Sequence, residues 1–257
     1  MMDAALPPES LDPAVALRAL EESLRDCDLC GLCSGRTQVV FGVGSARAEL
    51  LFVGEGPGFH EDKQGEPFVG AAGKLLNSLL GQIGLTRADI YIANVVKCRP
   101  PENRDPAEDE IKACSQHLMQ QIAIIRPRVI CTLGRFATRL LTGTELSMTA
   151  VHGKAKPIEL GGVESIVFPV FHPAAALYAP ANRVVLEEDF AKLRHLLNRG
   201  PEALRAGEQV HGVPELEPAP SQAPPQRPVE PAQEAHSEAP LERRAAATDR
   251  VEQLPLW

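Results

Sequence analysis

The stretch ELLFVGEGPG, residues 49–58, joins a short apolar run to a turn rich in glycine and proline. An apolar run of this length that stops at such a turn is typical of a buried strand. The glycines allow backbone N–H groups to approach a ligand closely, as in loops that cradle phosphate. The turn lacks the Gly-Lys-Ser/Thr of a Walker loop and the spacing G-x-G-x-x-G. We therefore expect a buried strand that delivers a ligand-binding loop to one edge of a sheet.

Strands and helices alternate on both sides of this stretch. The predicted helices are one that begins at Asp12-Pro13, one along Leu75 to Ile83, one that begins at Asp105-Pro106, a short one that ends at Gly143, and a last one over 184–198. The further strands are expected over 90–96, over 129–133, and as a pair over 156–160 and 164–170. Strands that alternate with helices imply a mostly parallel α/β sheet, which binds ligands at the carboxyl ends of its strands.

The composition divides the chain unevenly. Of 257 residues, the last 57 hold ten of the 23 prolines and ten acidic against five basic side chains. Such a segment cannot bury enough apolar surface to offset the entropy of ordering it. We therefore predict a flexible N-terminus over 1–11, one folded domain over 12–199 and a disordered tail over 200–257.

The sequence also predicts a compartment. It contains no apolar run of 18 residues and no leader with a basic start and an apolar core, so we expect no contact with a membrane and a cytoplasmic, nucleoid-associated location. The six cysteines then lie in a reducing compartment, where clustered cysteines indicate metal binding or catalysis more than disulfides. The net charge of −8 argues against a non-specific nucleic-acid binder, which usually shows a basic stripe.

Four cysteines form the first candidate site. Cys27 and Cys30 are a C-x2-C pair at the end of the first helix, and Cys98 and Cys114 come from a second segment. Four thiolates from two segments can hold an iron–sulfur cluster or a structural zinc, and their spacing does not choose between the two. Inert buried cysteines are the alternative. Cys33 extends the series to C-x2-C-x2-C and could compete as a ligand.

Three further residues stand at positions typical of ligand contact. Phe68 is an aromatic residue in a polar loop, Asn94 is an amide within an apolar strand, and His172 lies just after a strand. A buried amide needs hydrogen-bond partners, which come from the protein or from a ligand. From the residues alone, a structural role for each is the alternative.

Three segments resemble the family 4 uracil-DNA glycosylases, the iron–sulfur type of bacteria and archaea. They are GEGPGFHEDKQGEPFVGAAGKLL (54–76), NVVKCRPPENR (94–104) and FHPAAAL (171–177). The C-x2-C pair, the Gly35-Arg36-Thr37 after it and the spacing of the later cysteines agree with this family, and the resemblance extends over 12–198. It implies a three-layer α/β/α domain with a mostly parallel, four-stranded central sheet.

The resemblance also implies a cofactor and an activity. The cofactor is a [4Fe–4S] cluster held by Cys27, Cys30, Cys98 and Cys114, which leaves Cys33 as an extra cysteine. The activity is that of a DNA repair enzyme, which flips uracil out of the base stack into a closed pocket. Hydrolysis of the N-glycosidic bond then leaves an abasic site, from which base excision repair begins.

The resemblance assigns roles to the three ligand-contact residues. Phe68 would stack on the flipped uracil, and Asn94 would pair with uracil O4 and N3–H. His172 would donate to uracil O2, where negative charge grows as the bond breaks. The glycine-rich loop is expected to line the substrate, through Gly54, Pro57 and Gly58.

The group that activates the attacking water is left open. Another family of uracil glycosylases carries an aspartate where this sequence has Gly56. Glu55 and Glu61 are the nearest carboxylates along the chain, and Glu61 could also block the 5-methyl group of thymine. A dissociative path would leave little work for a base.

The implied partner is uracil-containing DNA, single- or double-stranded, bound by a monomer. The segment 172–178 resembles the minor-groove loop of the family, whose apolar residues wedge into the duplex. A local basic face can bind phosphates even when the net charge is negative. Basic residues are concentrated near the motifs, and scattered surface charges are the alternative interpretation. These basic residues are Arg36, Lys63, Lys74, Lys97, Arg99, Arg104, Lys154, Lys156 and Arg183.

The end of the chain carries a separate motif. Gln253, Leu254, Leu256 and Trp257 resemble the QL-x-L-F peptide with which replication and repair proteins dock on the bacterial sliding clamp. A short apolar anchor on a flexible tether raises the effective concentration at its partner. We expect this peptide to bind the clamp, and a chance match is the alternative.

Two other functions remain open. The first is a catalytically altered protein of the same fold that binds or senses uracil in DNA. The second is a glycosylase of broader or different base specificity. A covalent uracil-trapping relative is disfavoured, because its basic, histidine-bearing insertion is missing near 99–106.

Overall fold

A computed structural model of the chain describes residues 12–199. The predictions for 1–11 and 200–257, which include the clamp-binding peptide, lie outside the described residues. Among residues 12–199, no helix combines the length and the apolar character needed to cross a membrane.

Six strands form one mixed sheet in the order β1-β3-β2-β4-β6-β5. They are β1 (Val43–Gly44), β2 (Leu50–Gly54), β3 (Tyr91–Asn94), β4 (Val129–Leu133), β5 (Lys156–Leu160) and β6 (Val163–Val170). The four central strands run parallel, whereas β1 and β5 pair antiparallel at the two edges. The predicted four-stranded parallel core is confirmed, and two edge strands enlarge it. Two residues, as in β1, are too few for any periodicity to show in a sequence.

Helices cover both faces of this sheet. Their bounds are α1 (Pro13–Leu24), α2 (Phe59–Gln64), α3 (Ala71–Gln82), α4 (Glu108–Ile125), α5 (Arg135–Thr142), α6 (Met148–Val151), α7 (Pro173–Tyr178) and α8 (Pro180–Asn198). Successive residues of a strand point to opposite faces. Leu51 and Val53 therefore join an apolar cluster with α1, α4 and α5, and Leu50 and Phe52 join another with α3, α7 and α8. The three-layer α/β/α architecture is confirmed.

Several element boundaries differ from the prediction, among them the first residues of α3 and α8, and two of the differences bear on the site. Helix α4 begins at Glu108 rather than at Asp105-Pro106, because the carboxylate of Glu110 accepts a hydrogen bond from the N–H of Ala107 at 2.7 Å and fixes the start there. Strand β3 ends at Asn94, so Asn94 closes the strand instead of interrupting it. Its side chain therefore stands at the edge of the sheet where a parallel fold binds ligands.

Candidate functional site

The carboxyl ends of β2 and β3 bring the glycine-rich loop and Asn94 together. The two strands are parallel neighbours, and their register places Gly54 opposite Asn94. A Cβ atom on Gly54 would lie 2.4 Å from Asn94 Oδ1 and 2.8 Å from the ring of Phe68. Only glycine fits between these two side chains, so the absence of a side chain at Gly54 is what allows the amide and the aromatic ring to share one site.

Asn94 presents a buried acceptor without a partner. The residue is 2% exposed, and its Oδ1 accepts no hydrogen bond from any described residue. An unsatisfied buried polar atom destabilises a fold by about 1–3 kcal/mol. Its backbone carbonyl is satisfied, because Lys97 Nζ donates to it at 2.9 Å. The free side-chain oxygen therefore indicates a ligand that donates a hydrogen bond.

The loop that carries Phe68 is held in an uncommon conformation. Phe68 has φ +56°, a left-handed geometry that non-glycine residues rarely adopt and that clusters at functional sites. Arg87 donates to the backbone carbonyls of Phe68 at 3.1 Å and of Pro67 at 2.6 Å. A Cβ atom on Gly73 would lie 1.7 Å from the Phe68 carbonyl oxygen, so this position also requires glycine. Fixed packing of this kind keeps the buried ring in place.

Glu61 holds the same loop from its other side. Its Oε1 accepts hydrogen bonds from the N–H groups of Val69 and Gly70, each at 3.0 Å. The carboxylate is thus engaged with the backbone next to Phe68. Whether it also activates water or blocks a methyl group stays a prediction.

His172 lies against Phe68 with a defined tautomer. The two ring centroids are 5.6 Å apart and the ring planes are inclined by 30°. The N–H of Ala174 donates to His172 Nδ1 at 3.1 Å, so the proton of the neutral ring is on Nε2. Burial lowers the pKa of His172 to about 4, although the Glu61 carboxylate acts in the opposite direction. At neutral pH the site therefore offers an uncharged Nε2–H donor.

The rest of the glycine-rich loop packs on the segment after β3. The N–H groups of Val95 and Val96 donate to the carbonyls of Gly54 and Glu55, at 2.9 and 3.1 Å. A Cβ atom on Gly56 would lie 2.7 Å from a methyl group of Val96. An aspartate at this position would therefore collide with Val96. The predicted substrate contacts of Pro57, which is buried, and of Gly58, which caps α2, stay predictions.

The four predicted cysteine ligands meet in one place. Cys27, Cys30, Cys98 and Cys114 line a single cavity, which Cys33 also lines. All are free thiols, although they come from the segment after α1, from the segment after β3 and from α4. Burial raises the pKa of Cys98 to about 11 and also raises the pKa values of Cys30 and Cys114. Buried thiols in this number gain most from a ligand that takes up the negative charge of their thiolates.

Nitrogen atoms lie near three of these sulfur atoms. Arg36 Nη1 lies 3.5 Å from Cys98 Sγ, and the backbone nitrogen of Lys97 lies 3.3 Å from Cys114 Sγ. His117 Nε2 lies 3.7 Å from Cys27 Sγ. Hydrogen bonds to sulfur are a recurring feature of iron–sulfur sites.

The four cysteines line one cavity without converging on a single metal-ion position. Among residues 12–199, no three His, Cys, Asp or Glu side chains converge closely enough to hold a single metal ion. The four thiolates of a [4Fe–4S] cluster bind different irons, so they stand around a body larger than one ion. The chemistry of the donor set, four free thiols that line one cavity, is of the kind that such a cluster binds.

Sequence reasoning missed two supports of this site. Arg87 lies nineteen residues from Phe68 in a segment without a motif, and no local signal identifies it. The other support, Gly73, stands inside the motif of 54–76. Glycine is required there because of a close contact with the Phe68 carbonyl, and only the folded loop creates that contact.

Comparison with known proteins agrees with this site. Residues 41–197 match the family model of the uracil DNA glycosylase superfamily. The chain is 52% identical to the type-4 uracil-DNA glycosylase of Sulfurisphaera tokodaii over 186 residues, which are 70% of this chain and 84% of that protein. It is 48% identical to that of Saccharolobus solfataricus (72% and 88% covered) and 46% identical to that of Thermotoga maritima (67% and 90% covered). The chain therefore belongs to the type-4 family of the uracil-DNA glycosylase superfamily.

Proposed function

We propose that this protein removes uracil from DNA by hydrolysing its N-glycosidic bond, which leaves an abasic site for base excision repair. Membership of the type-4 family supports this activity. The observation that carries the proposal is the buried, unpartnered Oδ1 of Asn94, which shares a site with Phe68 and the Nε2–H of His172. These groups match the acceptors, the donor and the ring face of one uracil.

Recognition rests on the orientation of one amide. Asn94 Oδ1 accepts from uracil N3–H, and its Nδ2 donates to uracil O4. Cytosine presents the opposite pattern at these two atoms, so an amide held in one orientation rejects it. Phe68 stacks on the base, a contact that contributes about 1–3 kcal/mol for aromatic residues.

Catalysis rests on charge that develops on the leaving base. The Nε2–H of neutral His172 donates to uracil O2 as the glycosidic bond breaks. Such a donor acts mainly in the transition state, and removal of one typically lowers the rate by about 10²–10³-fold. The loop of 54–58 holds the attacking water, with Glu55 and Glu61 as the carboxylates nearest to Gly56 along the chain.

The proposed cofactor is a [4Fe–4S] cluster on Cys27, Cys30, Cys98 and Cys114. When bound, it would supply iron–thiolate bonds that cross-link separate segments of the chain. Cys98 lies four residues after Asn94, and Cys114 lies on α4. With the cluster bound, these residues would therefore hold the segment that follows the proposed uracil-recognising amide.

Three further features belong to this proposal. The peptide at Gln253–Trp257 docks on the sliding clamp, the protein acts as a monomer, and it works on the DNA of the cytoplasm. The QL-x-L-aromatic pattern supports the first. A pull-down that compares the full chain with a chain lacking 253–257 tests it, and unchanged clamp binding would overturn it.

The activity test uses purified protein with uracil-containing single- and double-stranded oligonucleotides, and abasic sites are then cleaved with alkali. We expect strand breaks at uracil only, and a loss of at least about 100-fold in Asn94→Ala. Asn198→Ala, an exposed asparagine at the end of α8, is the control and should keep full activity. Tight binding without strand breaks would instead indicate a uracil sensor.

A further inference from the structure

A half-exposed aromatic ring lies next to the proposed uracil site and has no role in the proposed glycosylase chemistry. Phe59 is 50% exposed, although an apolar ring of this size usually gains from burial. It is the first residue of α2 and comes directly after the loop of 54–58. An exposed ring at this place is available for contact with a partner.

Two cationic side chains lie close to the ring of Phe59. Arg99 Cζ lies 5.2 Å and Lys63 Nζ lies 6.0 Å from the centroid of Phe59, both within cation–π range. The ring of His60 meets Phe59 edge-on at 5.5 Å. The salt bridges described between residues 12 and 199 include neither Lys63 nor Arg99. Their charges are therefore available to an anion.

A hydrogen bond orients the guanidinium of Arg99. Its Nε donates to Asn103 Oδ1 at 2.8 Å, which orients the guanidinium while leaving its other nitrogens for further contacts. Lys63 Nζ donates to Thr37 Oγ1 at 3.2 Å. An aromatic face with two positioned cations is the combination that binds single-stranded nucleic acid, because the ring stacks on a base and the cations contact phosphates.

We propose that Phe59, Lys63 and Arg99 form a nucleotide subsite, which stacks one unpaired base of the substrate strand beside the flipped uracil and holds its phosphate. Phe59 lies five positions after Gly54, and an extended chain of five steps spans at most about 18 Å. At about 3.4 Å per nucleotide in a stacked strand, the base lies within roughly five nucleotides of the uracil. The assignment of the strand as substrate rests on the proposed glycosylase activity, whereas the binding of a base and its phosphate does not.

The first experiment measures binding without catalysis. Oligonucleotides without uracil carry 2-aminopurine, whose fluorescence falls when it stacks on an aromatic ring. We expect wild type to quench it, Phe59→Trp to keep the quenching, and Phe59→Leu to weaken affinity for single strands about tenfold. Equal affinity of Phe59→Leu and wild type would overturn the subsite, whether or not the protein releases uracil.

The second experiment separates stacking from phosphate contact. Arg99→Gln should reduce the slope of log affinity against log salt by about 0.7, the value for one phosphate contact on a single strand. Arg18→Gln, an exposed arginine of α1, is the matched control and should leave the slope unchanged. An unchanged slope in Arg99→Gln would overturn the phosphate contact.

The third experiment links the subsite to turnover. On single-stranded uracil substrates, Phe59→Leu should raise KM about tenfold with kcat within about twofold of wild type. A fall in kcat at constant KM would place Phe59 in the chemistry and overturn the subsite. If wild type releases no uracil, the glycosylase proposal fails while the quenching result still decides the subsite.

Discussion

The buried ammonium of Lys97 donates to the backbone carbonyl of Asn94 at 2.9 Å, and the backbone N–H of the same lysine donates to Cys114 Sγ at 3.3 Å. One residue thus contacts both the strand end that presents the amide proposed to recognise uracil and a proposed cluster ligand. Its ammonium also donates to Gln121 Oε1. Lys97 is 1% exposed, and burial lowers its pKa to about 8. This lysine is a structural support of the site rather than part of a DNA-binding surface.

Removal of that ammonium should destabilise the protein. Lys97→Met leaves two buried acceptors, on Asn94 and Gln121, without their donor. Each unsatisfied group lowers the free energy of unfolding by about 1–3 kcal/mol. We therefore expect a clear fall in the free energy of unfolding, measured with urea. Lys74→Met, on the exposed side of α3, is the control. If Lys97→Met unfolds at the same urea concentration as wild type, the two hydrogen bonds contribute nothing to stability.

His172 should give the protein a specific dependence on pH. Its pKa is about 4 in the folded state, below the ordinary value of 6.5, so between these values the unfolded chain binds more protons. The stability contributed by neutral His172 is complete above pH 6.5 and is lost as the pH falls toward 4. Urea unfolding near neutral pH and at a pH between the two pKa values should therefore show a larger acid loss in wild type than in His172→Ala.

The same pKa predicts the activity profile. With His172 neutral at neutral pH, the rate of uracil release should not fall at the ordinary histidine pKa of 6.5. His172→Ala should lower the rate by about 10²–10³-fold at neutral pH. The wild-type rate could instead fall as the pH is lowered through the ordinary histidine pKa. If His152→Ala and His195→Ala show the same fall, a neutral His172 donor is contradicted.

Glu61 can be tested for its two roles with a matched pair of substitutions. Glutamine at position 61 retains an oxygen that accepts from Val69 and Gly70, but it cannot accept a proton from water. If Glu61 only holds the Phe68 loop, Glu61→Gln keeps most of kcat and Glu61→Ala loses it together with substrate affinity. A large loss of kcat in both variants at unchanged KM would assign water activation to the carboxylate.

The cysteine set makes a prediction that does not depend on activity. Analysis of purified protein should find about four irons and four sulfides per chain. Cys98→Ser should lower both and reduce the thermal midpoint, because ligand bonds contribute folding free energy. Cys33→Ser should keep the iron, and Cys131→Ala, in the buried core of β4, is the control. One zinc per chain, or full iron in Cys98→Ser, would refute the cluster.

The sequence by itself determined the parallel core of the sheet and the residues that meet at its edge. Both depend on local order: apolar runs that end in glycine-rich or polar turns predict parallel strands, and the turns at the carboxyl ends of such strands lie together at one edge. Gly54 closes a strand and His172 stands just after one, so their convergence was predictable, whereas Asn94 was expected within its strand and only the structure places it at the strand end. The grouping of the four cysteines was expected from their spacing, and the family resemblance added the identity of the cluster.

Only the tertiary structure decided how these residues are held. The partners of Phe68 are Arg87 and Gly73, the carboxylate of Glu61 is engaged with the backbone, and the amide of Ala174 sets the tautomer of His172. Each of these depends on a distance between atoms that strand register and loop packing create. A pattern of residue types specifies which faces are buried, but it carries no information on which donor reaches which acceptor. The sequence therefore determines the chemistry available at the site, and packing determines its geometry.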